Sequence, residues 1–381
     1  EQNAEAAAGY VRLVETYWFS NESVPMLYAS LAGLNVAERA GPSPDLARAY
    51  AIICMASGSV PLHRLARIYS RRALETAEAV GQLEPLAYCT LMTSLYAVGV
   101  GQWERARTGL RRALDIFEEL GDRRFSGYAR ALLGMTANAR GDFDDGSRWF
   151  SELHAHAERH GNVQHQIWGL AGRAMGWLRK GRPDEALPLL QVGHTLVHEA
   201  PDPSEAVRVE GLLAVAHLRR GDHARAERAA TAAWEAVAGQ RSVAAIGLLQ
   251  PYWALCDVSL ALWERGEDSG AALTRRALRE LRRYARLFPI GRPRALANRG
   301  VALWLGGRRR AAHRSWRAGL ATAERLGMPY EVARAHYEIG RHLPESDPAR
   351  RSHLEQAAQL FADLSADDDL ARAQGALAVT A

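Results

Sequence analysis

Glycines that recur every 40 residues are the feature of this 381-residue sequence that most restricts its fold. Each glycine begins a similar short segment; the first four segments are 40 residues apart, and two looser copies follow at steps of 45 and 41. A fixed period of about 20–50 residues predicts an array of stacked units rather than one globule. The segments are GQWERA from Gly101, GDFDDG from Gly141, GRPDEA from Gly181, GDHARA from Gly221, GEDSGA from Gly266 and GRRRAA from Gly307.

Small residues keep the same spacing on both sides of these glycines. One stands seven positions before each glycine, and another stands five positions after it. Two antiparallel helices that cross about 8–10 Å apart need small side chains where they touch. The residues before the glycines are Ser94, Gly134, Ala174, Ala214, Ser259 and Gly300, and those after them are Ala106, Gly146, Ala186, Ala226, Ala271 and Ala312.

Apolar residues between the glycines follow a helical period. Leu91, Leu95 and Val98 fall on one helix face, and Leu110 and Leu114 fall on another. Each unit therefore predicts a helix, a tight turn in which glycine adopts the left-handed conformation, and a second helix. The chain is predicted to be all-α, with roughly nine helical hairpins at a period near 40 residues.

The repeats are expected to form a single domain over residues 1–381. The periodic signal is strong over residues 82–327, which we predict to be the regular repeats. It is weaker over residues 1–81, expected to form atypical N-terminal hairpins, and over residues 328–381, expected to form a C-terminal hairpin and cap.

The repeat pattern resembles the tetratricopeptide repeat (TPR), in which a small residue, a seven-residue step, Gly-Asp-aromatic and a later alanine recur. The resemblance implies a right-handed α-solenoid, in which stacked hairpins bury their apolar faces against each other. The familiar repeat has about 34 residues, so some six extra residues are expected in a longer second helix or an inter-repeat turn. HEAT-like arrays also fit a period of 40 residues, but they do not account for the regular Gly-Asp turns.

Composition and motif content point away from catalysis. Cys54, Cys89 and Cys256 stand far apart in the sequence, which excludes a disulfide framework and a cysteine zinc cluster. Lys180 is the only lysine and is followed by Gly-Arg, so the sequence contains no phosphate-binding P-loop. No apolar run is long enough for a membrane span. We expect a cytoplasmic protein without catalytic residues, cofactor or membrane contact.

Two histidine pairs have the i,i+4 spacing of metal ligands on a helix. They are His156 with His160 and His194 with His198. No carboxylate or cysteine stands at a matching spacing, so a solvated helix face is favoured and no metal site is predicted.

The resemblance to TPR proteins implies that the first helix of each hairpin lines a concave groove. Aromatic residues at equivalent positions of those helices could hold a peptide, a partner helix or a flat ligand. An aromatic residue at such a position also packs against the next repeat, and this structural alternative stays open. The groove-binding candidates are Tyr88, Tyr128, Trp168 and Trp253, together with Asn138, Trp263, Trp304, Arg179 and Arg219.

Positive charge is concentrated between Ala272 and Arg325. Fifteen arginines and only two glutamates give this stretch a charge of +13, whereas the whole chain carries +5. Such a field attracts an acidic protein surface or a nucleic acid, and a solvated helix face is the third alternative. Without a helix-turn-helix or RNA-platform motif, we expect protein docking rather than nucleic acid. The predicted basic docking patch comprises Arg275, Arg276, Arg279, Arg282, Arg283, Arg286, Arg308, Arg309 and Arg310.

Three longer segments are similar to the C-terminal repeat region of large bacterial signalling proteins. In that family a class III nucleotide cyclase or a protein kinase precedes an AAA/STAND ATPase, and TPR-type repeats follow. The segments are LYASLAGLNVAERAGPSPDLARAY from Leu27, RLFPIGRPRALANRGVALWLGG from Arg286 and MPYEVARAHYEIGRHLPESDPARRSHLEQA from Met328.

This resemblance implies a non-catalytic scaffold or sensor that regulates attached ATPase and cyclase or kinase domains. An alternative function is the effector or oligomerisation arm of a LuxR- or antibiotic-regulator-type transcriptional activator. The expected partner is another protein or the upstream domains of the same polypeptide. A small ligand or peptide in the groove and a homodimer are further alternatives.

Overall fold

The chain folds into helices joined by short turns. In the computed structural model the described residues are 2–19, 22–60, 62–200, 202, 204–238 and 246–378. These residues form nineteen α-helices and three short 3-10 turns, and they contain no strand. Successive helices pack against each other in pairs, which confirms the predicted all-α array of TPR-like hairpins.

The helices form two compact units, and the first of them ends within α7 at Leu133. Its core is formed by residues such as Leu46, Ile53, Ala73 and Tyr88. The helices of unit 1 are α1 (Gln2–Phe19), α2 (Ser23–Ala40), α3 (Pro44–Ser59), α4 (His63–Val80), α5 (Leu83–Gly99), α6 (Trp103–Glu119) and the first part of α7 (Arg123–Arg140).

Unit 2 begins at Gly134 and contains the remaining described helices. The first helices of its hairpins, α9, α11, α13, α15 and α17, pack side by side, while each second helix packs against its own hairpin partner. After α7 come α8 (Phe143–His160), α9 (Val163–Arg179), α10 (Pro183–Leu196), α11 (Ser204–Arg219), α12 (His223–Ala238), α13 (Leu249–Glu264), α14 (Asp268–Leu287), α15 (Arg292–Leu305), α16 (Arg309–Arg325), α17 (Pro329–His342), α18 (Pro348–Asp363) and α19 (Asp367–Ala378).

The repeated glycines end the first helices of six hairpins, α5, α7, α9, α11, α13 and α15, as the sequence predicts. All six adopt positive φ between 75° and 84°, a region that favours glycine because a Cβ atom would strain the backbone. The aspartate of a Gly-Asp turn then caps the second helix: the Asp145 amide donates a hydrogen bond to Asp142 Oδ1 at 3.0 Å. Pro183 occupies the first turn of α10, where a missing amide is tolerated.

Small residues lie where two helices of a hairpin cross, and Gly300 shows why. A Cβ atom at Gly300 would lie 2.1 Å from Nε1 of the Trp316 indole. Trp316 is fully buried, and its Nε1–H donates a hydrogen bond to the Ala297 carbonyl at 3.1 Å. The rigid ring therefore leaves no room for a larger residue on α15.

The last helices of unit 2 return to its early hairpins. The Phe143 and Tyr330 rings meet edge to face with their centroids 6.1 Å apart. A Cβ atom at Gly141 would lie 2.4 Å from the Leu364 side chain, and one at Gly181 would lie 2.7 Å from the Asp368 backbone. Unit 2 therefore curves until α17–α19 touch α8 and the glycine turns that precede α8 and α10.

Among the described residues, no helix combines the length and the apolar character that a membrane crossing requires.

We expect Gly300→Ala to lower the free energy of unfolding by about 1–3 kcal/mol, because the new methyl group overlaps the immobile Trp316 ring. Urea denaturation measures this loss. Gly375→Ala on α19 is the matched control, since a Cβ atom there meets nothing within 4 Å. Alanine should be neutral or stabilise α19 by about 0.5–1 kcal/mol. Equal losses in the two variants would contradict the crossing argument.

Candidate functional site

A network of buried charges connects the first helices of unit 2. Its members come from α9, α11, α13, α15, α17 and α19, so it lies on the layer where the first helices pack side by side. Contacts between α9 and α17, four hairpins apart, place this layer on the inner side of the curve. We call this cluster the inner network; it comprises Arg179, Arg219, Asp257, Arg294, Glu331, Arg334 and Asp369.

Arg294 is the centre of the inner network. It is only 1% exposed, and its Nε and Nη2 donate hydrogen bonds to the two Glu331 oxygens at 2.8 and 2.7 Å. Its Nη1 donates to Asp257 Oδ2 at 3.1 Å, where Arg334 Nη1 also donates at 2.8 Å. The Asn298 amide completes the set by donating to Asp257 Oδ1 at 3.0 Å. One guanidinium therefore connects α13, α15 and α17.

The carboxylates of this cluster stay ionised because the arginines offset their burial. Burial alone would raise the pKa of Asp257, but Arg334 and Arg294 outweigh it and hold that pKa below the ordinary value. Glu331 behaves in the same way, and Arg294 makes the largest contribution to lowering its pKa. A buried charge that kept no partner would be costly, so each group depends on the others.

A second ion pair connects α11 with the last helix. Arg219 Nη2 donates a hydrogen bond to Asp369 Oδ2 at 3.2 Å, and the Tyr330 hydroxyl donates to the same oxygen at 2.5 Å. Burial opposes ionisation of Asp369, but Arg219 lowers the pKa of that carboxyl well below its usual range. This contact closes unit 2 between α11, α17 and α19.

Arg179 is the least satisfied member of the inner network. Its Cζ lies 3.8 Å from the centroid of the Tyr330 ring and 4.6 Å from that of the Trp253 ring. In the part of the chain that the structure describes, its nearest carboxylate is Glu331, at 3.5 Å from Nη2, and its buried Nη1 has no hydrogen-bond partner. Burial lowers the pKa of Arg179, and the neighbouring Arg294 lowers it further. The cation is therefore stabilised mainly by two aromatic faces.

The structure brings three of the nine groove candidates together. Trp253, Arg179 and Arg219 lie in or against the inner network, where Trp253 is 3% exposed and also contacts the Arg294 guanidinium at 4.9 Å. Trp168 lies elsewhere on the same layer, and its Nε1–H donates to Glu205 at 2.7 Å.

The other groove candidates lie apart from the inner network. Tyr88 packs in the core of unit 1, with its ring 5.6 Å from Phe125, and Tyr128 is half-buried. Asn138 is buried, and neither of its side-chain amide atoms has a hydrogen-bond partner among the residues that the structure describes. Trp263 and Trp304 are partly buried against a separate core cluster around Trp316.

Sequence reasoning missed most of the inner network. Five of its seven members were not among the candidates: Asp257, Arg294, Glu331 and Arg334 on first helices, and Asp369 on α19. A signal was present, because Asp257, Arg294 and Glu331 alternate in charge at two equal steps of 37 residues. Arg294 and Glu331 are each the third residue of their helices, α15 and α17, so this pair has opposite charges at matching positions of neighbouring repeats.

Histidines and tryptophans form a further cluster beside the inner network. The His342 ring stacks on Trp316 with centroids 4.7 Å apart and lies 4.4 Å from Trp304. His336 and His353 share a hydrogen bond of 2.7 Å between their Nδ1 atoms. Burial lowers the pKa of His336 and of His342 to about 4, so both rings are neutral near pH 7.

The two histidine pairs with i,i+4 spacing both lie in unit 2: the first pair on α8, and the second on α10 and the 3-10 turn that follows it. The His156 and His160 rings contact each other at 4.8 Å, and the His194 and His198 rings at 6.3 Å. His194 Nδ1 also hydrogen-bonds to Glu210.

Exposed arginines cover the second helices of two consecutive hairpins. On α14 and α16 they recur at three- and four-residue steps, which places each set on one helix face. In the part of the chain that the structure describes, none of them has a carboxylate within ion-pair distance. We call this set the arginine face; it comprises Arg275, Arg279, Arg282, Arg286, Arg310, Arg314 and Arg317.

Other members of the arginine-rich stretch have different surroundings. Arg283 and Arg308 are also exposed. Arg276 lies over the Trp234 ring at 4.5 Å and donates to the Trp234 carbonyl, and Arg309 lies 5.2 Å from the Trp304 ring. Arg294, which the sequence counts in the +13 stretch, is buried in the inner network and adds nothing to the surface charge.

Comparison with known proteins supports the fold. The sequence matches no protein-family model, and no curated protein matches it. Among solved structures, a Rap protein complexed with competence and sporulation factor has a TM-score of 0.61 and 11% identity, over 98% of this chain and 99% of that one. The apo form of the quorum sensor NprR from B. thuringiensis has a TM-score of 0.44 and 10% identity, over 87% of this chain and 97% of that one.

Yeast Tom70 is a third helical-repeat structure similar to this chain. Its TM-score is 0.27 at 12% identity, over 98% of this chain and 96% of that one. At such low identities the Rap likeness establishes the fold alone, which is that of the TPR-like helical-repeat proteins.

We expect Arg294→Met to lower the free energy of unfolding by about 3–5 kcal/mol, because it leaves Glu331 and Asp257 buried with fewer partners. Arg179→Met should cost less than half as much, since Glu331 keeps both Arg294 hydrogen bonds. Chemical denaturation of the two variants and the wild type makes the comparison. If Arg179→Met were the more damaging change, the assignment of Arg294 as the centre would be wrong.

Acid should destabilise the protein between about pH 6.5 and pH 4. His342 has a folded pKa of about 4, below its unfolded value, so the unfolded chain binds more protons in this window. The contribution of His342 to stability is therefore fully present above pH 6.5 and falls by about 3 kcal/mol as the pH drops towards 4.

His342→Phe keeps a ring against Trp316 but does not titrate, so stability should fall less steeply over that window. The exposed His198 is the control position, and His198→Phe should leave the pH profile unchanged. Thermal denaturation at half-unit pH steps measures the profile, and identical slopes for His342→Phe and the wild type would exclude this role.

Proposed function

We propose that residues 1–381 act as one non-catalytic binding module that regulates ATPase and cyclase or kinase domains attached to it in a larger bacterial signalling protein. The segments beginning at Leu27, Arg286 and Met328 support this proposal, because they resemble the repeat region of such proteins. The Rap protein of the same fold was solved with a bound factor, which supports a binding role for this kind of scaffold.

The observation that carries the proposal is the arginine face. Protein surfaces usually intersperse charges of both signs, so a row of unpaired guanidiniums on two neighbouring hairpins is unusual. Arginine forms two parallel hydrogen bonds with a carboxylate, which suits docking against an acidic surface. The partner that fits is therefore a carboxylate-rich face of an attached domain or of another protein.

The binding mode that follows is governed by charge. Among the described residues of unit 2, the only exposed large apolar side chain is that of Val192 on α10. The arginine face therefore has no apolar side chain at its centre. Electrostatic attraction then sets the association rate, and added salt weakens binding.

The reading frame that encodes this chain provides the first test. The proposal expects a nucleotide cyclase or protein kinase domain and an ATPase domain in the same polypeptide. A DNA-binding helix-turn-helix domain in their place would overturn it in favour of a transcriptional activator.

Charge reversal of the arginine face provides the second test. Arg310, Arg314 and Arg317 lie on one face of α16, and changing all three to Glu should weaken capture of the attached domains at least about tenfold. The matched control reverses Arg64, Arg67 and Arg71, which are exposed along α4 of unit 1. Pull-down at two salt concentrations measures both triple variants. Equal binding by both would remove the arginine face from the proposed function.

A further inference from the structure

Arg179 is held in an arrangement that ordinary packing does not require. It ends α9, and its side chain retains only 9% of its exposure. The Tyr330 and Trp253 rings lie close to its guanidinium, at 3.8 and 4.6 Å from Cζ. Only the edges of the planar group remain for hydrogen bonding.

Those edges are incompletely used. Nη2 lies 3.5 Å from Glu331, a contact at the limit of hydrogen-bond distance, and Nη1 is buried with no hydrogen-bond partner among the described residues. Glu331 cannot do more for Arg179, since both of its oxygens already accept hydrogen bonds from Arg294 at 2.7 and 2.8 Å.

The remaining acids of the inner network are also committed. Asp257 accepts from Arg294 and Arg334, and Asp369 accepts from Arg219 and the Tyr330 hydroxyl. Arg219 also pairs with Asp368 at 3.5 Å, so Arg219, Arg294 and Arg334 each have a carboxylate partner. Arg179 is the arginine left without a carboxylate of its own.

We propose that Arg179 is a recognition site for a single oxyanion, a carboxylate or phosphate group, of a ligand that binds on the inner side of unit 2. A guanidinium edge donates two parallel hydrogen bonds to such a group, and an anion here would give the buried Nη1 a partner. This site is independent of the arginine face, which lies on the second helices and serves the proposed docking function.

Entry of the anion requires a local movement of α17. Nη1 is out of reach of solvent while Tyr330 and Glu331, both on α17, stay in place. Glu331 retains its two Arg294 hydrogen bonds when its 3.5 Å contact with Arg179 is lost. The ligand therefore competes with the weakest contact of the inner network and leaves the strongest intact.

Titration with small oxyanions tests this site. Inorganic phosphate and N-acetylglycine, the latter carrying the carboxylate of a peptide end, are each added to the full chain at constant ionic strength. Tryptophan fluorescence and thermal denaturation report binding, because the Trp253 ring contacts Arg179. The wild type should show saturable binding of at least one probe, and the probe that binds identifies phosphate or carboxylate as the source.

Arg179→Met should weaken that binding by at least about tenfold, since it removes the charged donor. The matched control is Arg182→Met: Arg182 is more exposed, lies 5.8 Å from the Trp177 ring and pairs with Glu185 at 3.8 Å. The Arg182→Met variant should bind the probe as tightly as the wild type does.

Arg179→Gln is the second variant. Its probe binding is compared with that of Arg182→Met if circular dichroism shows that Arg179→Met has lost helical structure. The Gln variant is neutral but still able to hydrogen-bond Glu331, and it should show the same loss of binding. Absence of saturable binding to the wild type, or equal losses in the Arg179 and Arg182 variants, would overturn the proposal.

Discussion

A helical hairpin cannot bury its own apolar face, and this constraint governs the whole structure. Each hairpin is stable only when its neighbours cover it, so the helices must approach closely and repeatedly. Close approach depends on small residues at the crossings, as Gly300 shows against the Trp316 ring. It also depends on turns short enough to fold the second helix back, which the left-handed glycines provide.

The hairpin array could be predicted from the sequence because its determinants are local. A glycine with positive φ at Gly141 and a capping aspartate at Asp142 leave their mark within a few residues. The inner network could not be predicted in the same way, because its partners lie one repeat or several repeats apart. Arg294 and Glu331 are separated by 37 residues, and Arg179 and Glu331 by 152. Only the curvature of unit 2 brings the second pair together, and no local pattern encodes that curvature.

Arginine side chains occupy two opposite environments in this protein, one buried and one exposed to solvent. Arg294 is buried, and its hydrogen bonds to two carboxylates compensate for the loss of water. Arg310 and Arg314 stay in solvent and have no acidic partner among the described residues. The sequence shows both kinds as members of one basic stretch, so net charge alone overstates the surface potential. Their positions differ accordingly: Arg294 lies on the first helix of its hairpin, α15, whereas Arg310 and Arg314 lie on the second helix, α16.

The return of α17–α19 onto the early hairpins changes how unit 2 should lose its structure. In an open repeat array each element touches only its neighbours, so the ends fray one after another and the stabilities of the repeats nearly add. Here Asp369 is hydrogen-bonded to Arg219, 150 positions earlier, so the terminal helix is also an immediate neighbour of the middle. Fraying from that end must break contacts at both places together. Such a ring-like connection favours all-or-none melting over stepwise unzipping, and it ties the folding of the early repeats to completion of the last one.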